Sequence, residues 1–235
     1  MLAHATENAP VERPCPPTVP GMQIAPTERT TVRRLPERGN FDRDFVNAVI
    51  DEALTCHVGF AIDGRPWVMP TIHARVDETL YVHGALSNHM LRALAGGIEA
   101  CVTITIVDGL VLARSAFHHS MNYRSAMVFG AMRLVDDATE KRAAFDALVE
   151  HVVPGRTADA REPNPSEMRK TSVLALPITE ASAKVRTGGP IDDEEDLALP
   201  IWAGVVPVTT TFGAGIADAG SVVTLPRYVE QYRRP

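Results

Sequence analysis

The sequence predicts a mainly antiparallel β-barrel with helices packed at its side and ends. Three observations predict it. Short runs that alternate apolar and polar residues recur from residue 57 onward, the period of strands buried on one face. The dipeptides Asp63-Gly64 and Asp108-Gly109 sit between such runs, and both residue types tolerate the positive φ of a tight hairpin. Few helical patterns intervene, and no GxGxxG stretch follows a strand, which argues against a parallel dinucleotide-binding sheet.

Taken in order, residues 1–27 carry Pro10, Pro14, Pro16, Pro17, Pro20 and Pro26. Proline removes a backbone donor, so this stretch predicts a disordered or strap-like arm, with Cys15 incidental. Asp42 to Leu54 predicts the first helix, capped by Asp42, with Phe45, Val46, Val49, Ile50, Ala53 and Leu54 on its apolar face. Strands follow at His57–Ile62, Trp67–Ala74 and Leu80–His83. Pro66 and Pro70 push the second of these toward an edge or a kink. Ser87 caps a short helix through Leu91 and Leu94 that stops at Gly96-Gly97.

The stretch from Cys101 to Val135 is the centre of the chain. Cys101–Ile106 and Leu110–Ala113 read as strands around the Asp108-Gly109 turn, and Ala126–Val135 as a third, with Gly130 a bulge or a close approach. Asp137 to Val152 predicts the longest helix, with Asp137 and Glu140 as a capping box. Residues 156–169 read as a polar connection, Ser172–Pro177 as a strand and Thr179–Ser182 as one helical turn. Lys184 and Arg186 then project from one face of a strand. The five acids Asp192–Asp196 predict a solvated loop, Ile201–Thr211 a last strand, and residues 213–235 a basic tail with little core content. The barrel domain thus spans residues 28–212.

Composition bounds the function. The chain has 235 residues, 45% of them apolar and 22% charged, enough for one domain with a sizeable core. A formal charge of −6 excludes a general nucleic-acid or anionic-membrane binder. Cys15, Cys56 and Cys101 have no paired spacing and predict reduced thiols in a cytoplasmic protein, with no metal site. No apolar run is long enough to span a bilayer.

Two segments are candidate sites. Arg114, Ser115, His118, His119, Ser120, Asn122, Tyr123, Arg124 and Ser125 fall within twelve residues, a donor-rich knot almost free of acids. Donor excess on a rigid barrel suits a phosphate or an electron-rich ring, although polar turns also end ordinary strands. His83 to Met90, including Ser87, Asn88 and His89, places a hydroxyl and a helix start together, either as an anion cradle or as a plain cap.

Four stretches carry a resemblance to a known family: HVGFAIDGRPWVMPTIHARVDETLYVHGA (57–85), LARSAFHHSMNYRSAMVFG (112–130), LVEHVVPGR (148–156) and LPITEASAKVRTGGPIDDEEDLALPIWAGVVP (176–207). In these the chain resembles the flavin-nucleotide-binding branch of the pyridoxamine 5′-phosphate oxidase-like proteins, the branch that includes nitroimidazole-resistance-type proteins. The resemblance implies an FMN-binding split barrel that forms a homodimer, with FMN near the subunit interface and a small-molecule substrate. It implies cofactor contacts from His73, His83, Ser87, Asn88, His89, Ser115, Arg124, Ser125, Lys184 and Arg186, and proton delivery by His118, His119 or Tyr123. A basic residue is expected near positions 89 and 90, where this chain has His89 and Met90.

Three functional readings follow. The first is an FMN-dependent oxidoreductase, with a deazaflavin as an alternative cofactor. The second is a haem protein on the same barrel, with His118, His119 or His73 as axial ligand. The third is a non-catalytic flavin-binding or structural barrel.

Overall fold

The computed structural model describes residues 22–234. These form an antiparallel sheet of ten strands: β1 (Gly39–Asn40), β2 (Thr55–Ile62), β3 (Arg65–Val76), β4 (Thr79–Ala85), β5 (Glu99–Leu112), β6 (Ser120–Ala131), β7 (Arg133–Leu134), β8 (Thr171–Pro177), β9 (Glu180–Arg186) and β10 (Gly204–Pro207). Their order is β1-β9-β6-β5-β2-β3-β4-β8-β7, with β10 added to β5. The sheet curls without closing, so the fold is a split β-barrel. Its halves approach at Gly130 (φ 151°), where a Cβ would stand 3.1 Å from Leu176 Cδ1. That glycine is required both for its backbone angle and for the space.

The first hairpin forms as its turn residues dictate, with Asp63 at φ 50° and Gly64 at φ 73° between β2 and β3. From Arg65 to Ile72, β3 pairs only with β2; β4 joins at His73. Pro66 and Pro70 therefore lie on a free edge, where a missing donor costs no ladder bond. β2 shows the alternation of a half-buried strand: Cys56, Val58 and Phe60 face the core while Thr55 and His57 face out.

Five helices flank the sheet: α1 (Arg43–Glu52), α2 (His89–Ala95), α3 (Ala138–Val152), α4 (Pro165–Lys170) and α5 (Arg227–Glu230). α1 starts where Asp42 accepts from Phe45 N at 2.9 Å and buries Val46, Val49 and Ile50 against the barrel. The main core joins these to Ile24, Val58, Leu80, Val82, Leu91, Leu94, Val102, Ile104, Val128, Leu174 and Ile178. Each fully buried branched side chain contributes about 1.5–3 kcal/mol. A second, smaller core under α3 contains Tyr81, Val135, Ala144, Val173 and Ala175.

The C-terminal end of α1 is closed by side chains from three distant segments. The carbonyl oxygen of Ile50 accepts from His73 Nε2 at 2.8 Å, and that of Ala53 from His151 Nε2 at 2.8 Å. Arg234 donates to the carbonyls of Asp51 (2.7 Å) and Glu52 (2.9 Å), and also to that of His151. A helix end normally leaves four carbonyls without an intrahelical partner. Here all four consecutive groups are satisfied.

The structure corrects several expectations. Asp108-Gly109 is a bulge inside the continuous strand β5, where the register shifts between Val107 and Gly109, not a hairpin turn. Pairing with β10 holds that half of β5 extended. Asn88, not Ser87, caps α2, accepting from Leu91 N at 3.2 Å. Asp137 caps α3, but the Glu140 carboxylate is drawn to Tyr81 (2.8 Å) and Arg133 (2.5 Å), so no reciprocal box forms. The box occurs instead at Asn164 and Glu167 of α4, inside the stretch read as a plain connection. Residues 180–182 begin β9 rather than a helical turn, and the last strand covers only Gly204–Pro207. The tail is docked: Tyr232 Oη donates to Val152 O at 2.5 Å, and the Tyr232 ring lies edge-on to Phe212. In the proline-rich arm, Cys15 and five of the six prolines lie outside the described residues, while Ile24 enters the core. No described helix is long and apolar enough to cross a membrane.

Candidate functional site

The ladder registers define one outward face of the sheet. Pro70 pairs with His57, His57 with Thr103, Thr103 with Met127 and Met127 with Ser182. One row on, Thr105 pairs with Ser125 and Ser125 with Lys184; Tyr123 pairs with Arg186. Directly opposed residues share a face. The result is a surface of small and hydroxyl side chains, including Gly59, Thr103, Ser125 and Ser182, edged by Lys184 and Arg186. Val68 and Ile72 border it on β3, exposed at 64% and 38%. His57 and Met127 stand on the same face, so a flat ring laid there would pack against these two side chains as well as the hydroxyls.

Of the candidate residues, Tyr123, Ser125, Lys184 and Arg186 are brought together here. Arg124 is not. As the strand neighbour of Tyr123 and Ser125 it faces inward, toward the mouth of the barrel. There it donates to Glu52 (2.8 Å from Nη2) and to Asp108 (3.0 Å from Nε, 2.7 Å from Nη2). Those two carboxylates, Glu52 first, hold its pKa above the ordinary arginine value.

The donor-rich knot lies in the β5–β6 connection, beside Tyr123. Ser115 Oγ accepts from Phe117 N at 3.3 Å, and His119 Nδ1 lies 3.0 Å from Ser115 O. The acidic run folds onto this knot instead of looping free. Asp192, its side chain 2% exposed, accepts from Arg114 N and Arg114 Nη1, both at 2.8 Å. Asp193 reaches His118 Nε2 at 3.2 Å. A carboxylate on one imidazole nitrogen fixes the orientation of the ring. The sequence carried no signal for these partnerships, because the acids lie more than 70 residues away.

The Ser87–His89 segment sits elsewhere, next to the β3 edge. Met90 is in the core, and the His89 ring is 5.4 Å from that of Trp67. His83 lies edge-on to Phe145, 6.2 Å between centroids; its Nδ1 is buried without a partner, and burial lowers its pKa. His73 is sealed in the interior at 0% exposure, its ring 4.7 Å from that of His151. Burial pushes its pKa down to about 4, against a smaller opposing effect of the hydrogen bond to Ile50. Among the described residues, no cluster of His, Cys, Asp and Glu is arranged to hold a metal ion.

Comparison with known proteins gives this geometry a context. The family described as pyridoxamine 5′-phosphate oxidase matches residues 42–185. The structure of the flavocytochrome Anf3 from Azotobacter vinelandii superposes with a TM-score of 0.84 and 36% identity, covering 90% of this chain and 99% of that one. A FAD- and haem-binding protein from Mycobacterium smegmatis gives 0.79 and 37%, covering 82% and 95%. No curated protein matches the sequence. The family match covers α1, the bulged strand β5 and the ladder from His57 to Lys184 that frames the outward face. The chain belongs to the pyridoxamine 5′-phosphate oxidase family.

Proposed function

We propose that this protein is a flavin-dependent redox protein that carries haem as a second group. One observation carries the reading: the two structures at 36% and 37% identity are a flavocytochrome and a FAD- and haem-binding protein, and both align over more than four-fifths of this chain. The flavin, FMN or FAD, would be held on the outward face by Val68–Ile72 of β3 and by Tyr123 and Ser125 of β6. When bound, it supplies the electron or hydride chemistry. The residues of this chain bind and orient it. Ser125 and Tyr123 offer hydroxyls to the ring edge, Lys184 and Arg186 stabilise negative charge, and the His118–Asp193 pair holds a proton at the rim.

A haem-binding histidine needs one ring nitrogen free and gains orientation from a hydrogen bond on the other. His73 is sealed in the interior at the end of α1, and His118 is held by Asp193. His119 has its Nδ1 on Ser115 O at 3.0 Å and its Nε2 without a partner among the described residues, and it stands exposed in the β5–β6 connection beside the outward face.

Pairing of two copies through the outward face completes this reading, because Val68, Ile72 and Met127 leave an apolar surface there. The visible spectrum of the purified protein tests the proposal. Flavin bands together with a Soret band are expected, and replacing His119 by alanine is expected to remove the Soret band alone. A colourless protein that takes up neither cofactor on reconstitution would refute the reading. Sedimentation at micromolar concentration is expected to show a dimer.

A further inference from the structure

Residues 227–234 are held on the body of the protein by a short list of polar contacts. Tyr232 Oη donates to Val152 O at 2.5 Å, and Arg156 Nη1 donates to Tyr228 Oη at 2.9 Å. Arg234 reaches the carbonyls of Asp51, Glu52 and His151. The stretch before them adds nothing to that hold. Residues 209–225 are exposed throughout and make no hydrogen bond to the barrel among the described residues. The chain beyond Val208 is therefore a strap fastened at its far end, with Arg234 as its most connected side chain.

Arg234 is seated against two imidazoles. Its Nη2 lies 3.4 Å from His151 Nε2, and the His151 ring lies 4.7 Å from that of His73. Both Nε2 atoms face carbonyl oxygens, of Ala53 and Ile50, so in each neutral ring the hydrogen sits on Nε2. His151 Nε2 thus has no lone pair to give the guanidinium. The other nitrogen of each ring is the one that takes up a proton, and on His73 that Nδ1 is buried without a partner. The carboxylates nearby are already engaged. Asp51 of α1 is bound by Arg75 of β3 (2.9 Å from Nε), and Glu52 of α1 by Arg124 of β6 (2.8 Å from Nη2). Among the described residues, the charged groups around the two rings are therefore these two ion pairs and Arg234. A proton on either ring adds an uncompensated cation beside the guanidinium.

We propose that the C-terminal segment is an acid-released latch: protonation at the His73–His151 pair expels Arg234, and residues 227–234 leave the end of α1 while the barrel stays folded. For both rings burial is the first cause of a lowered pKa, and the charge of Arg234 adds to it. A histidine whose pKa is lower when the segment is docked favours docking above its free value, near about 6.5. That preference is lost as the pH falls toward the docked value, which for His73 is about 4. The latch is thus closed at neutral pH and opens on the acid side. Once undocked, α5 has only four residues, too short a helix to persist alone in water.

Hydrogen exchange read by mass spectrometry tests this on the full-length protein, with labelling times scaled to the intrinsic rate at each pH. The reporters are the amides of Val229, Glu230, Gln231 and Tyr232, bonded in and just after α5, and those of the β5–β6 ladder. A pKa difference of one unit on one ring changes the docking equilibrium up to about tenfold. Protection of the α5 amides is therefore expected to drop about ten- to a hundredfold from about pH 7.5 to about pH 5, while β5 and β6 stay protected. In His151→Gln the side-chain amide can still donate to Ala53 O but takes up no proton, and the drop is expected to shrink. Constant α5 protection, loss of β5 and β6 protection at the same pH, or an undiminished drop in His151→Gln would each overturn the proposal. If His151→Gln leaves α5 open already at neutral pH, His73→Gln decides. It must keep α5 protected at neutral pH and show a smaller drop, and any other result overturns the latch.

Discussion

Arg124 and Arg186 occupy neighbouring strands, β6 and β9, and their surroundings are opposed. Arg124 faces the barrel interior and is saturated by two carboxylates, Glu52 and Asp108. Arg186 faces outward, is more deeply buried, and meets only an amide and two carbonyls. Sequence position gives no hint of this, since both sit in polar stretches that the family resemblance marks as cofactor contacts. The set of partners separates them. Arg124 has its counter-charges on α1 and β5 and ties those elements together, whereas Arg186 has none among the described residues.

The largest effect that would sharpen this contrast is on Arg124. Replacing it by alanine leaves Glu52 and Asp108 facing each other at the barrel mouth, and is expected to cost about 3 kcal/mol in urea unfolding. Flavin affinity is expected to stay within a few-fold. A loss below about 1 kcal/mol combined with abolished flavin binding would reverse the assignment of the two arginines.

A comparable effect comes from the end of α1, where two of the four carbonyls accept from imidazoles. An unfolded imidazole takes up a proton near pH 6.5, but buried His73 does so only near about 4. Between those values the unfolded state binds the extra proton, so stability present above pH 6.5 is lost as the pH falls toward 4 and levels off below it. Over the full window this group removes about 3 kcal/mol. Unfolding free energies measured from pH 7 to 4 are expected to slope accordingly, and the slope is expected to shrink in His73→Gln. A parallel slope in that variant would place the proton uptake elsewhere.

The smallest effect is on Arg186 itself. Despite its burial, Arg186→Gln is expected to cost only about 1 kcal/mol, because it gives up hydrogen bonds to neutral groups and no ion pair. Its flavin affinity is expected to fall well beyond that of Arg124→Ala. If Arg186→Gln unfolds the protein more than Arg124→Ala does, the outward arginine is the structural one.

Much of the fold could be read from local chemistry. Asp42 and Asp137 as caps, Asp63-Gly64 as a turn, Pro66 and Pro70 as edge markers and Gly130 as a close approach all act through neighbours a few residues away. The misreadings share a different cause. Asp108-Gly109 has the chemistry of a turn, yet pairing with β10, almost 100 residues on, keeps the strand extended. Glu140 was available for a capping box until Tyr81 and Arg133 drew it away. In the site, alternation along β6 and β9 correctly placed Lys184 and Arg186 on one face. It could not show that Asp192 and Asp193 fold back on Arg114 and His118.

The closure of α1 has a further consequence, in time. Arg234 caps the carbonyl of Glu52 from 182 residues downstream. At about 5–20 residues per second, a ribosome delivers that arginine roughly 10–35 seconds after the helix it finishes. For that interval the carbonyls of Asp51 and Glu52 depend on water. A chain that stalls before residue 234 leaves those carbonyls open, so the end of α1 is completed only when a segment 182 residues downstream has been made.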